Sequence, residues 1–363
     1  MRLRGLINGF EPYSWEPSTV QIAQETGLRP EQIKRFDTNT SPYAPTEWLR
    51  KLAAKITNIE VNQYPDTSYT KFRESLSKYT GTSLDSFVVT NGADEALDIS
   101  AKVFLDAGTR AVISTPSYSF FRIAVELMGG QIVKVSRKND FSDDVDKIIE
   151  SASGNARIIF LCNPNNPTGT IIERDDLRRI LEESGCAVVV DEAYHEFSGN
   201  TVADLTKNYE NLIVVRTFSK AFSMAGVRVG YIIASEDTVI ALNKVRPPNS
   251  LSTISLSLAE LALDNVDLMK MWVREILEEK DRCVSFLSGL NGITPYPSKT
   301  NFVLIRFTEV DVAKVYQFLL ARGLVVRTFS GEPSLKNFLR FSIGTKENNN
   351  SLLQSLSEFS RLN

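Results

Sequence analysis

Cys186-Ala187-Val188-Val189-Val190-Asp191-Glu192-Ala193-Tyr194 and, further on, Asn211-Leu212-Ile213-Val214-Val215-Arg216-Thr217-Phe218-Ser219-Lys220 decide the architecture. Each is a short apolar run rich in β-branched residues that ends abruptly in polar side chains. Such runs read as strands buried on both faces of a mostly parallel sheet. Working outward, the same texture recurs at Phe87-Val88-Val89-Thr90, Ala111-Val112-Ile113-Ser114, Gln131-Ile132-Val133-Lys134-Val135, Arg157-Ile158-Ile159-Phe160-Leu161 and Val229-Gly230-Tyr231-Ile232-Ile233. Between them, Leu97, Ala101, Phe104 and Leu105 fall at helical spacing, as do Leu177, Ile180 and Leu181. The expectation is an α/β domain whose seven-stranded, mostly parallel sheet lies between helices.

Past Arg246-Pro247-Pro248 the texture changes. A long helical stretch from Thr253 to Leu290, interrupted near Asp264-Asn265, leads into strands at Asn301 to Arg306, Leu324 to Val326 and Phe338 to Ser342. Helices are expected at Val310 to Ala321 and at the C-terminus. This βαββα pattern predicts a smaller α/β domain over 246–363, beside a large domain over 39–245. The first forty residues are poorly periodic. Residues 1–38 are expected to form an arm that packs on the small domain or on a partner subunit.

The 363 residues carry 41 basic and 44 acidic side chains, a net charge of −3. No strong positive field exists to hold a nucleic acid or an anionic membrane, so a small charged substrate in a local site is the better expectation. No run of eighteen apolar residues is present, and the N-terminus lacks a signal-peptide pattern. Cys162, Cys186 and Cys283 form no CxxC pair, which fits a reducing cytoplasm. With His195 as the single histidine, no His-rich metal site is expected. His195 itself reads as a structural residue.

The polar residues at the strand ends carry the chemistry, because ligands of open α/β sheets bind at that edge. Lys220 follows a buried strand, a setting in which a partly desolvated amine becomes a nucleophile. Thr217, Ser219 and Arg228 offer two hydroxyls and a guanidinium fork to a phosphate. Asp191, at the end of its apolar strand, needs a cationic partner such as a protonated pyridine nitrogen, unless it merely caps the next helix. Leu161-Cys162-Asn163-Pro164-Asn165-Asn166-Pro167-Thr168-Gly169 is a stiff loop able to fix the Asn166 amide. In Thr90-Asn91-Gly92-Ala93-Asp94-Glu95 a strand turns through glycine into a helix, where the N–H groups of Ala93 and Asp94 would cradle a phosphate. Tyr118, in Pro116-Ser117-Tyr118, is placed to stack on a flat ring.

Taken in order, these motifs resemble the fold-type I pyridoxal-phosphate enzymes of the aspartate aminotransferase superfamily and, within it, the histidinol-phosphate aminotransferase family. The resemblance spans nearly the whole chain. It implies pyridoxal 5′-phosphate as cofactor, with Lys220 as the lysine that binds it as a Schiff base and moves the proton. By the same resemblance Asp191 pairs with the pyridine nitrogen, Tyr194 and Asn166 contact the ring oxygen, and Tyr118 stacks on the ring. Ala93, Asp94, Thr217, Ser219 and Arg228 hold the phosphate. Tyr64, in Gln63-Tyr64-Pro65-Asp66, matches a tyrosine that reaches that phosphate from a neighbouring subunit, so a homodimer is implied.

For the substrate, Arg340 in Leu339-Arg340-Phe341-Ser342 matches the family arginine that pairs with a substrate anion, and Arg327 matches a second used for substrate phosphate. Tyr13, in Pro12-Tyr13, resembles a substrate-contacting tyrosine. One departure is visible: the family's Asn-Glu-Asn-Pro stretch is replaced by Thr38-Asn39-Thr40-Ser41-Pro42, which keeps an amide at Asn39 and loses the acid. The resemblance implies amino transfer between histidinol phosphate and 2-oxoglutarate in histidine biosynthesis. Threonine-phosphate decarboxylases and aromatic amino-acid aminotransferases share the framework, and a non-catalytic cofactor-binding module is the remote alternative.

Overall fold

The computed structural model describes residues 2–329 and 331–362. Its first strand, β1 (Lys34–Arg35), precedes the seven that build the large sheet: β2 (Phe87–Thr90), β3 (Arg110–Thr115), β4 (Gln131–Ser136), β5 (Ala156–Cys162), β6 (Ala187–Asp191), β7 (Leu212–Thr217) and β8 (Gly230–Ile233). The sheet order is β2-β8-β7-β6-β5-β3-β4. Strands β3 to β7 run parallel, while β8 is antiparallel to both of its neighbours. The two runs that decided the architecture thus lie side by side at the centre, with Asp191 in register between Cys162 and Val215. Their side chains are buried on both faces, one set packing into each of two large apolar clusters. Strand β4 departs from that expectation: it is the sheet's edge, and Gln131, Lys134 and Ser136 are exposed. A charged edge of this kind discourages further strand pairing.

The small sheet is antiparallel, in the order β12-β13-β10-β9, from β9 (Ile293–Pro295), β10 (Phe302–Phe307), β12 (Arg327–Thr328) and β13 (Phe338–Ser342). The strand expected at Leu324 to Val326 is one residue shorter, and a second short strand follows it. Leu324–Val325 forms β11, which pairs in parallel with β1, whereas Arg327–Thr328 joins β13. The long helical stretch breaks where expected, into helices Thr253–Leu263 and Val266–Ser288. The first of these packs on helices Thr46–Ala53 and Thr70–Thr80.

The N-terminal residues depart in part from expectation, because they bind both units. Helix Thr19–Thr26 is closed by a Ser18–Gln21 capping box, and its Ile22 packs with Ile33 and Val325 beside the small sheet. Ahead of it, Arg122 of the helix Phe120–Leu127 donates to the Glu11 carbonyl at 2.8 Å, and Arg4 donates to the Leu127 carbonyl. After β1 the chain runs extended along β13, where Ser342 donates its N–H to the Phe36 carbonyl. No helix among the described residues is long and apolar enough to cross a membrane.

Candidate active site

Asp191 ends β6 at the middle of the sheet and is 3% exposed. Its Oδ1 accepts from the Ala193 N–H at 3.0 Å, and burial pushes its carboxyl up to about 7. Lys220 lies just beyond β7, and its Nζ donates to the Thr38 carbonyl at 3.3 Å. Burial, reinforced by Arg340, lowers the Lys220 amine to about 8, while Asp94 and Asp191 oppose that shift. The same nitrogen stands 5.8 Å from the centre of the Tyr194 ring. Tyr194 accepts from Asn39 Nδ2 at 3.0 Å, and its ring meets Phe302 edge-on. Burial raises the Tyr194 phenol, keeping it protonated and able to donate.

A second group gathers where β8 meets the helix Gly92–Phe104. Arg228 Nη2 lies 3.1 Å from Asp94 Oδ2, and Nη1 donates to Ser219 Oγ at 3.4 Å. Thr217 Oγ1 is 2.9 Å from Ser219 Oγ, and the Tyr118 hydroxyl donates to Asp94 Oδ1 at 2.8 Å. Two glycines allow this approach. A side chain on Gly92, which adopts φ +80°, would fall 2.6 Å from Arg228 Nη2, and one on Gly230 would strike the Gly92 backbone at 2.6 Å. The guanidinium is thereby held against the helix N-terminus, whose first N–H groups lack partners within the helix.

The third group faces these from the small sheet. Arg340 is buried in β13. Its Nη2 donates to the Asp37 carbonyl at 2.6 Å, its Nη1 donates to Asn166 Oδ1, and its Nε has no partner. Burial, with Arg327 as a like-charged neighbour, lowers Arg340 to about 10. Arg327 Nη1 donates to Glu16 Oε1 at 2.8 Å. Tyr13 lies close enough to Glu16, Arg327, Asp94 and Arg340 to feel their charge, although burial is the larger reason its phenol is raised.

A family model for class I and II aminotransferases matches residues 32–356. The chain belongs to that family. A histidinol-phosphate aminotransferase of Thermoanaerobacter sp. (strain X514) is 38% identical over 328 residues, 89% of this chain and 92% of the relative. One from Ruminiclostridium cellulolyticum is 36% identical and covers 98% of this chain and 97% of its own. Among solved structures, histidinol-phosphate aminotransferase from Sinorhizobium meliloti, in complex with pyridoxal-5′-phosphate, superposes with a TM-score of 0.87 at 25% identity, covering 99% of this chain and 98% of that one. The fold is the fold-type I architecture expected from the sequence.

The side chains of this aminotransferase suit a cofactor bearing a ring nitrogen, an aldehyde and a phosphate. Among the described residues Asp191 is a buried carboxylate with no ion pair of its own, Lys220 is a buried amine of lowered basicity, and Arg228, Ser219 and Thr217 converge on a helix N-terminus. Of the residues singled out in the sequence, Lys220, Tyr194 and Asn39 form one hydrogen-bonded or ring-contact cluster. Asp94, Tyr118, Ser219, Thr217 and Arg228 form another, and Arg340 with Asn166 a third. Asn166 therefore has its carbonyl oxygen on Arg340, leaving its N–H₂ for a ligand. Asp94, singled out for its N–H, places its carboxylate between Tyr118 and Arg228. Tyr64 is left 84% exposed by a single chain. His195 is buried, with Nδ1 beside the Glu192 carbonyl and Glu196, and burial lowers it well below its ordinary value, as befits a structural imidazole.

Several contacts around these residues were not foreseen. Glu16 on Arg327, and the carbonyls of Asp37 and Thr38, come from segments without periodic signal; only the adjacent Pro12-Tyr13 and Asn39 marked their neighbourhood. Beneath the site Glu192, adjacent to Asp191, is fully buried and paired to Arg216 at 2.9 Å.

Proposed function

We propose that this aminotransferase moves the amino group between histidinol phosphate and 2-oxoglutarate, with pyridoxal 5′-phosphate held as the three clusters suggest. The observation that carries the reading is the placement of two arginines, Arg327 and Arg340, as register partners on the adjoining strands β12 and β13, with Arg340 near enough to shift the Lys220 amine. Such a pair suits a phosphate dianion from one substrate and carboxylates from the other. The names of the relatives point the same way.

When bound, the cofactor supplies the ring that accepts electrons from the reacting carbon. The carboxylate of Asp191 would hold the ring nitrogen protonated, each charge relieving the other's burial. Tyr194 and the Asn166 amide would donate to the ring oxygen, and Asn39 fixes the Tyr194 hydroxyl. Tyr118 would lie on the ring face. Arg228, Ser219, Thr217 and the N–H groups of Ala93 and Asp94 would hold the phosphate. The lowered basicity of Lys220 keeps much of the amine neutral near pH 8, so that it can attack a carbonyl carbon and afterwards carry a proton from the substrate α-carbon. Arg340 would hold the substrate carboxylate, and Arg327 with Tyr13 the substrate phosphate.

The working division is an arm (1–38), a large domain (39–245) and a small domain (246–363). A cytoplasmic homodimer completes the proposal. The exposed apolar side chains Leu49, Ile56, Val61 and Tyr64 fall close together in sequence, on a stretch that a second copy would cover while receiving Tyr64. Its three cysteines are free and buried, as a reducing compartment permits. Sedimentation at twice the 40.6 kDa chain mass tests the dimer. Half-reactions of the holoenzyme with histidinol phosphate, glutamate and phenylalanine, followed by absorbance, test the substrate. No conversion with the first rejects the reading, and release of carbon dioxide from threonine phosphate would replace it with a decarboxylase.

A further inference from the structure

Arg327 is already engaged by a carboxylate of the same chain. Glu16 Oε1 accepts from Nη1 at 2.8 Å, with side chains 22% and 27% exposed. Two other arginines near Glu16 direct their hydrogen bonds elsewhere. Arg35 holds Asp37 through both Nε and Nη2, at 2.8 and 2.7 Å, and Arg340 holds Asn166 and the Asp37 carbonyl. Glu16 itself belongs to a stretch, residues 10–18, outside any helix or strand. Beside it Trp15 is 81% exposed and meets Tyr13 edge-on, with ring centres 5.2 Å apart. Tyr13 and Glu16 thus form one strap, anchored to the small sheet through Arg327 alone of these three arginines.

We propose that Glu16 is a specificity-determining residue, an internal counter-anion that fills the Arg327 subsite until a substrate phosphate displaces it. The inference rests on the reading of Arg327 as the phosphate arginine. Carboxylate and phosphate compete for the same guanidinium fork, and the phosphate carries the larger charge. A phosphate-bearing side chain therefore opens the strap and takes its place. An uncharged side chain gains nothing at Arg327 that Glu16 does not already supply, and it meets a closed strap. Selectivity arises from this difference in two affinities, with Glu16 as the competing element.

The holoenzyme carrying Glu16→Gln, Arg327→Met or both is titrated with inorganic phosphate. Two signals are read: competitive inhibition of the glutamate half-reaction, and emission of Trp15, isolated by subtracting Trp15→Phe, in which only Trp48 and Trp272 remain. Loss of a largely buried like charge is expected to tighten phosphate roughly five- to tenfold in E16Q. The gain vanishes on the R327M background, because the two residues act on one another. Phosphate should change Trp15 emission in the wild-type protein, and E16Q should start near the phosphate-bound value. The KM for histidinol phosphate falls in E16Q by the same factor as the phosphate constant. Unchanged or weaker phosphate binding in E16Q overturns the proposal. Failure of the wild-type enzyme to convert histidinol phosphate overturns the substrate reading instead, while the phosphate titration still judges Glu16. Phosphate binding that survives R327M intact refutes the subsite itself.

Discussion

Replacing Asp191 by Asn separates what this residue does for the cofactor from what it costs the fold. In the cofactor-free protein a nearly inaccessible carboxylate has one hydrogen bond, from Ala193, and burial raises it from 3.8 to about 7. The folded state therefore keeps this proton over a window in which the unfolded chain has lost it. The stability contributed by the group is complete below pH 3.8, declines as the pH rises towards 7, and is flat above. A displacement of that size corresponds to roughly 4 kcal/mol at pH 8. With an unfolding entropy of about 2.1 cal/mol/K per residue, this becomes a shift in Tm of about 5 °C for a chain of this length. Asn keeps the shape and does not titrate. Cofactor-free D191N should melt within a degree or so of the wild type near pH 4, where both side chains are neutral, and about 5 °C above it at pH 8. Glu196, raised to about 8, and His195 titrate over overlapping ranges in both proteins, so the difference between the two melting curves isolates Asp191. Cofactor affinity should move the other way and fall at least about tenfold, because the cationic ring loses its buried partner. Thermal melts across pH, with and without pyridoxal phosphate, read both effects. An equal difference at pH 4 and pH 8, or a less stable D191N at pH 8, refutes the reasoning.

Three further outcomes are expected. Lys220→Ala should lower amino transfer by about 10⁴-fold or more in single-turnover assays, since it removes both nucleophile and proton carrier. Gly230→Ala should cost about 1–3 kcal/mol in urea unfolding, because its Cβ meets the Gly92 backbone, and it should also weaken cofactor binding by moving that helix away from Arg228. Arg216→Met should destabilise the protein by roughly 3–5 kcal/mol, measured in the same way, by leaving Glu192 buried and uncompensated.

The central strands were legible because six apolar runs each bury both faces, a pattern that few other structures accommodate. The edge strand β4 matched them in composition but not in burial, since a short window cannot show which strand lacks a second neighbour. Strand β1 was invisible for a different reason: Lys34 and Arg35 carry no apolar signal, and the strand exists only through pairing with Leu324 and Val325. The position of the strand-end residues was legible because each follows its own strand directly. Glu16 on Arg327 and Asn166 on Arg340 were not, for their partners lie 311 and 174 residues away. Contacts of that range depend on how the two sheets face each other, which no local spacing encodes.

The extended run after β1 joins the two sheets at the point of reaction. Three successive residues reach three different groups: Asp37 offers its carbonyl to Arg340, Thr38 offers its own to Lys220, and Asn39 gives its amide to Tyr194. The backbone oxygen on Lys220 can be kept only while that nitrogen retains a hydrogen to give. Loss of that hydrogen would loosen one rung of a three-rung ladder whose other rungs hold Arg340 and Tyr194. Residues 37–39 tie Lys220, Arg340 and Tyr194 to one backbone segment, so that inserting or deleting one residue there would shift all three contacts at once.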